Sequence, residues 1–300
     1  TSSYTKVQVK SPDGEGVLEN IIAVAAGDSY SLALDKDGNV YAWGYNGYGN
    51  LGLGDTNTRT LPVKVQALEK ITKIEASNVS SFAIDSNNKL WVAGHNGYGN
   101  LGNNTTNGRN KFGKVIESIE EETKEPTYLS NVKQIEAGNE TTIAIKKDGT
   151  AVAWGYNGYG QLSNGNTTNA LLATELKYNK DGDKVDEIID VAVSNEGTTI
   201  VRKDGKVWTV GYNSNGEMAN ETVQNLRTPW SISKLKIDVS ENNIINIENI
   251  NETKQIKYKA KMGFNLLTDT IPTEKITFTS QTPLWRKMLP SDMMERKAKS

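Results

Sequence analysis

The stretch AWGYNGYGNLG, Ala42–Gly52, returns as VAGHNGYGNLG at Val92–Gly102 and as AWGYNGYGQLS at Ala153–Ser163, with a fainter copy, WTVGYNSNGEMA, at Trp208–Ala219. A catalytic constellation is normally assembled once, from scattered parts of a chain, so repeated copies of one phrase point first to a repeat architecture. The marker glycines Gly44, Gly94, Gly155 and Gly211 define the repeat, at a spacing of 50 residues from the first to the second and more thereafter. Each is preceded by the same kind of lead-in, of which AAGDSYSLALDKDGNVYAWG (Ala25–Gly44) is the clearest.

Within a copy, SLALDKDGNVYAWG alternates apolar and polar residues, breaks at Asp37-Gly38 and alternates again, the pattern of two strands joined by a tight hairpin. Lys-Asp-Gly recurs at 36–38, 147–149 and 203–205, and Asn87-Asn88 takes its place in the second copy. These residue types all tolerate positive φ. A strand precedes each hairpin (20–27, 128–138 and 187–194), and RTLPVKVQAL at 59–68 supplies a fourth. Four short strands per copy predict an all-β fold built from β-propeller blades.

The opening phrase then leaves the third strand and winds toward the fourth. Its glycines suit a tight backbone, and Leu51, Leu101 and Leu162 are expected to plug the loops into the core between blades. Trp43, Trp91, Trp154 and Trp208 fall on strands and are expected to pack blades. Tyr45, Tyr48, Tyr98, Tyr156, Tyr159 and Tyr212 recur on equivalent loops; beside a structural role they are the candidate protein-binding residues, as rigid amphipathic contacts.

Composition narrows the function. The 34 basic and 36 acidic residues leave no positive excess, and nucleic acid is not expected as a partner. The absence of cysteine excludes disulfides, thiolate catalysis and cysteine-based metal sites. No stretch approaches the roughly 20 apolar residues of a membrane helix. The single histidine, His95, stands where the sister copies have Tyr45 and Tyr156 and reads as a loop residue. No catalytic triad, HExxH, P-loop or dinucleotide fingerprint is present, so no cofactor and no metal are expected. Asp181, Asp183 and Asp186 resemble a calcium loop in composition but lack its carboxylate spacing. Asn-x-Ser/Thr matches follow from the abundance of Asn and Thr.

The order of strand, AxG, DG turn, VYAWGxNxxGxLG and then R-x-x-P resembles the repeat of the regulator of chromosome condensation family, most fully over Ala25–Val65. The resemblance implies a β-propeller, typically of seven blades, that acts by binding proteins and needs no cofactor. Nucleotide exchange on a small nuclear GTPase, the best-known activity of that family, does not transfer well to this chain; the member that performs it also engages chromatin through a basic extension, and nothing comparable is visible here. Departures are Ser163 for Gly, Glu217-Met218-Ala219 for Gln-Leu-Gly, and a charged insertion, ESIEEETKEPT, at Glu117–Thr127. The Asn-rich, cysteine-free character resembles exported or surface proteins of Gram-positive bacteria that carry these repeats, one of them a β-lactamase inhibitor.

These readings divide the chain into propeller repeats over 1–234, with units near 20–70, 71–127, 128–186 and 187–234, and a segment at 235–300 that resembles part of a bacterial immunoglobulin-like β-sandwich. At 281–300 the composition changes abruptly, with Met288, Met293 and Met294 among the five methionines. TKVQVKSP (Thr5–Pro12) reads as the tail of an earlier blade. Four visible units are fewer than seven, so exposed blade edges and self-association are expected. The leading expectation is a non-catalytic module of a bacterial extracellular or cell-surface protein that binds an unidentified protein through its loops. The alternatives are a structural spacer in an adhesin-like array, and a polysaccharide-active enzyme or exchange factor.

Overall fold

A computed structural model describes residues 6–176, 185–194, 196–231, 236–239 and 245–248. The larger of two compact units, residues 1–214 and 224–231, carries four four-stranded antiparallel sheets, each with its strands in sequence order. The first blade holds β1 (Ile21–Ala26), β2 (Tyr30–Asp35), β3 (Val40–Gly44) and β4 (Arg59–Lys64). The second holds β5 (Ile71–Ala76), β6 (Ser80–Asp85), β7 (Leu90–Gly94) and β8 (Arg109–Lys114). Between the second and third blades lie β9 (Ile116–Ile119) and β10 (Pro126–Tyr128), which pair as a separate hairpin. The third blade is β11 (Val132–Ala137), β12 (Thr141–Lys146), β13 (Ala151–Gly155) and β14 (Ala170–Glu175). The fourth is β15 (Ile188–Val193), β16 (Gly197–Arg202), β17 (Val207–Gly211) and β18 (Leu226–Ser231).

The predicted hairpins form at the predicted turns: Leu34 pairs with Val40, and Ile84 with Leu90. Sequence reasoning missed the aspartate before the turn. One oxygen of Asp35 accepts the amides of Asp37 (3.0 Å) and Asn39 (2.8 Å), and Asp85 does the same for Asn87 and Lys89. Burial would push the Asp35 carboxyl up; hydrogen bonds from Asn39, Asp37 and Tyr41 outweigh it and hold the group below its ordinary value.

Alternation along the strands gives each blade two apolar faces, and consecutive blades stack on them. Leu32, Leu34, Val40 and Ala42 of the first blade meet Ile71, Ala83, Ala93 and Phe112 of the second. Phe82, Ile84 and Val92 meet Val132, Ala144 and Trp154 of the third, whose Ile143, Ile145 and Ala153 meet Ile200 and Trp208 of the fourth. Leu51, Leu101 and Leu162 are buried in these three cores, as expected. The tryptophans divide: Trp154 and Trp208 are buried, while Trp43 and Trp91 are half-buried.

The charged insertion becomes the β9–β10 hairpin, tied to the third blade by an ion pair of Lys146 with Glu117 at 2.8 Å. The described part of TKVQVKSP pairs with the residues that follow it, Lys10 with Val17, across a turn at Asp13-Gly14. In the smaller unit, β19 (Lys236–Val239) pairs with β20 (Ile245–Glu248). The remainder of the segment expected to resemble an immunoglobulin-like domain, the 281–300 tail, Asp181 and Asp183 lie outside the described residues. Among the described residues no helix is long and apolar enough to cross a membrane.

The marker glycine is required where β3, β7, β13 and β17 end. At Gly155, φ is +100° and a Cβ would sit 2.2 Å from the Glu140 carbonyl oxygen. Gly205, with φ +77°, has open space around it. Gly155→Ala is expected to destabilise by more than about 2 kcal/mol and Gly205→Ala by about 1 kcal/mol. Urea unfolding of the two variants gives the comparison, and equal losses would show that contact at the marker position does not matter.

Candidate functional site: an aromatic ladder

Each copy of the YNGYG loop is pinned from inside by an asparagine. Asn46, Asn96, Asn157 and Asn213 are fully buried. The side-chain oxygen of Asn46 accepts the Leu51 amide (2.9 Å), and its amide group donates to the Asp55 carbonyl (3.0 Å). Asn96 accepts from Leu101 (2.7 Å) and Asn157 from Leu162 (2.9 Å) in the same way. A second side chain closes the loop, Asn50 donating to the Tyr45 carbonyl and Asn100 to the His95 carbonyl, both at 2.7 Å.

The following blade then grips the loop. Ser81 donates to the Asn50 carbonyl (2.6 Å), Thr142 to that of Asn100 (3.2 Å) and Thr198 to that of Gln161 (2.9 Å). Net gains of about 1 kcal/mol per such bond make these loops parts of the framework.

A scaffold this firm fixes the rings it carries. Tyr45 folds back over its own loop, where a Cβ on Gly47 would lie 2.0 Å from the phenol oxygen. Tyr45 and Tyr48 meet edge to face with centroids 6.0 Å apart, and Tyr48 meets His95 of the next repeat at 5.3 Å. Tyr98 meets Tyr156 of the next repeat at 5.2 Å, Tyr156 meets Tyr159 at 6.0 Å, and Tyr159 meets Tyr212 at 5.1 Å. The second aromatic of one loop therefore packs on the first of the following loop, a geometry favoured by the ring quadrupole.

All six candidate tyrosines join these two runs. His95, read from sequence as an ordinary loop residue, joins them as well; its placement in a tyrosine slot was the available signal. Tyr48 keeps 48% of its surface exposed, Tyr45 and Tyr98 are also exposed, and the other rings are half-buried.

Partial burial pushes the Tyr156 hydroxyl above its ordinary value, with Tyr159, Tyr98, Glu140 and Glu196 adding to the effect, so it stays a neutral donor. Burial likewise raises the nearby Glu140 carboxyl, against the opposing field of His95. Among the described residues no three His, Asp or Glu side chains group as metal ligands. The chemistry on offer is contact: phenol edges and hydroxyl donors held at fixed spacing.

A family model described as the regulator of chromosome condensation (RCC1) repeat matches residues 37–84, and a second model of the same description matches 21–50 and 132–161. These segments match the RCC1 repeat. The ultraviolet-B receptor UVR8 of Arabidopsis thaliana is 27% identical over 79% of this chain and 51% of the receptor. The probable E3 ubiquitin-protein ligase HERC4 of Mus musculus is 29% identical over 71% of this chain and 19% of the ligase. The chain thus spans about half of one relative's length and about a fifth of the other's.

Among solved structures, yeast RCC1 (Prp20) bound to Kap60 superposes with a TM-score of 0.56 at 19% identity, over 81% of this chain and 57% of that one. A second structure of Prp20p from Saccharomyces cerevisiae, in work that also concerns its binding to Gsp1p and histones, gives a TM-score of 0.55 at 19% identity, over 86% and 65%. At these identities the superposition establishes the fold: all-β, with RCC1-type propeller blades.

Proposed function

We propose that the RCC1 blades of this chain bind a protein partner through the aromatic ladder, without catalysis, as part of a bacterial exported or surface protein whose segment from 235 onward is immunoglobulin-like. The carrying observation is the row of exposed and half-buried rings on loops pinned by buried asparagines. Rigid aromatic anchors lose little conformational entropy on binding, the property that concentrates binding energy in them. The cysteine-free, Asn-rich composition supports the exported setting. Yeast RCC1 supports the class of partner, since it is seen bound to the protein Kap60.

The test is a pull-down from culture supernatant and surface extract, with a Tyr48→Ala, Tyr98→Ala, Tyr159→Ala triple variant as control. The variant is expected to bind the captured protein at least about 100-fold more weakly, near 3 kcal/mol over three anchors, while its melting curve stays cooperative. Equal retention by both baits removes the ladder from the interface, and failure of the parent to retain any protein favours a spacer.

Self-association is a second reading, favoured by one observation. Val24 is 75% exposed on the outer side of the first blade, whereas Ile135 and Val191, at the same repeat position, are only 6% and 4% exposed. Sedimentation at increasing concentration tests it. A Val24→Lys variant that associates as strongly as the parent would refute it.

A further inference from the structure

Arg59 and Arg109 occupy the same place in successive repeats, opposite Gly44 and Gly94 at the start of the fourth strand. Their surroundings differ. Arg59 is clamped by Asp55, with Nη2 to Oδ2 at 2.6 Å, and donates a second bond to the Asn57 carbonyl. In the second repeat Thr105 stands in the place of Asp55: the Thr105 carbonyl accepts from Asn96 as the Asp55 carbonyl accepts from Asn46.

Arg109 has lost its acid and turns the other way. Its Nη1 donates to the Lys114 carbonyl at 3.2 Å, across Gly113, where a Cβ would lie 2.2 Å from that nitrogen. No Asp or Glu pairs with it among the described residues. Burial lowers the pKa of its guanidinium, the direction expected of a cation short of water and of counter-charge.

Arg109 lines a groove of about 620 Å³ between the first and second repeats, together with Tyr48, Lys111, Phe112 and Gly113. The groove runs beside the Tyr48–His95 contact of the ladder. Among the described residues its lining sets Arg109 and Lys111 beside an aromatic edge and includes no carboxylate.

We infer that this groove takes a carboxylate side chain of a partner protein, received by Arg109 and Lys111 while Tyr48 packs on the partner's neighbouring residues. The inference rests on the interaction reading above and names the chemistry of the partner. Charge complementarity carries it: a half-buried guanidinium with one nitrogen on the Lys114 carbonyl and no carboxylate partner among the described residues suits the carboxylate of another chain. Two cations within a chain of net charge −2 suit a single acidic side chain better than a polyanion such as nucleic acid.

The probe is fluorescein-labelled hexaglutamate, titrated into the full 300-residue chain at low salt, with hexaglutamine and a dT12 oligonucleotide as comparisons. Binding of hexaglutamate alone is expected. Arg109→Gln should weaken it about tenfold and Lys111→Gln about threefold, whereas Arg59→Gln leaves it unchanged. Thr105→Asp supplies in cis the acid that Arg59 enjoys and should also weaken binding about tenfold, without removing a cation. The Arg109 Nε–H resonance should move on titration and that of Arg59 should not.

The inference is overturned if hexaglutamate fails to bind, if Arg109→Gln and Thr105→Asp both bind as the parent does, or if dT12 binds more tightly. A partner captured in the pull-down and equally retained by Arg109→Gln would sink the carboxylate site alone. The ladder would still stand.

Discussion

Trp154→Ala is expected to destabilise the chain by about 3–5 kcal/mol, and Trp43→Ala, at the same position of the first repeat, by only about 1 kcal/mol. Trp154 is fully buried, and its indole nitrogen donates to the Asn100 carbonyl at 2.9 Å. The ring lies against Gly102 of the preceding loop, where a Cβ would come within 3.1 Å of the indole nitrogen. Truncation therefore opens a large cavity and leaves a carbonyl with one donor fewer. Trp43 is only half-buried, so its removal opens a less enclosed void. Urea denaturation of both variants at two protein concentrations is the measurement. A Trp43→Ala loss as large as that of Trp154→Ala, growing with concentration, would mean that a second chain covers the first blade in solution.

Asn96→Ala is the second large effect, expected near 3 kcal/mol. The Asn96 side chain accepts from the Leu101 amide at 2.7 Å and donates to the Asn103 side chain and the Thr105 carbonyl at 2.8 Å, and to the Asn107 carbonyl at 3.0 Å. Alanine strands a buried amide and frees the turn that carries Tyr98. Amide exchange at Leu101 should accelerate more than exchange in the β6–β7 hairpin, because the hairpin bonds do not pass through Asn96. A loss within about 0.5 kcal/mol would show that the loop holds its shape without the pin.

Both predictions bear on the candidate site, since the same bonds that stabilise the loops hold the rings apart at fixed spacing. Tyr98→Ala removes a ring and leaves the loop; Asn96→Ala leaves the ring on a loosened loop. If rigidity matters to binding, both variants weaken the complex, and only the second also lowers stability.

Local sequence determined the blades. Alternation, a turn rich in Asp, Asn and Gly, and the marker glycine specify strands and hairpins from neighbouring residues alone, and for that reason the ends of β1, β2, β3 and β4 lie close to where the pattern puts them. The six tyrosines were legible as candidates because repetition placed them on equivalent loops, and Leu51, Leu101 and Leu162 as anchors for the same reason. The buried asparagines were equally repeated, but Asn on a Gly-rich loop has no pattern that distinguishes a pin from a solvated turn residue.

Tertiary structure alone decided the rest. Which ring Tyr48 touches, why Trp154 is enclosed and Trp43 is not, and why Arg109 lacks the acid that holds Arg59 all depend on residues brought together by stacking of one blade on the next. The charged run at Glu117–Thr127 pairs locally, Ser118 with Thr127, but its place beside the third blade comes from the ion pair of Glu117 with Lys146. Periodicity within a strand records which face an atom is on; it carries no information about what stands opposite that face.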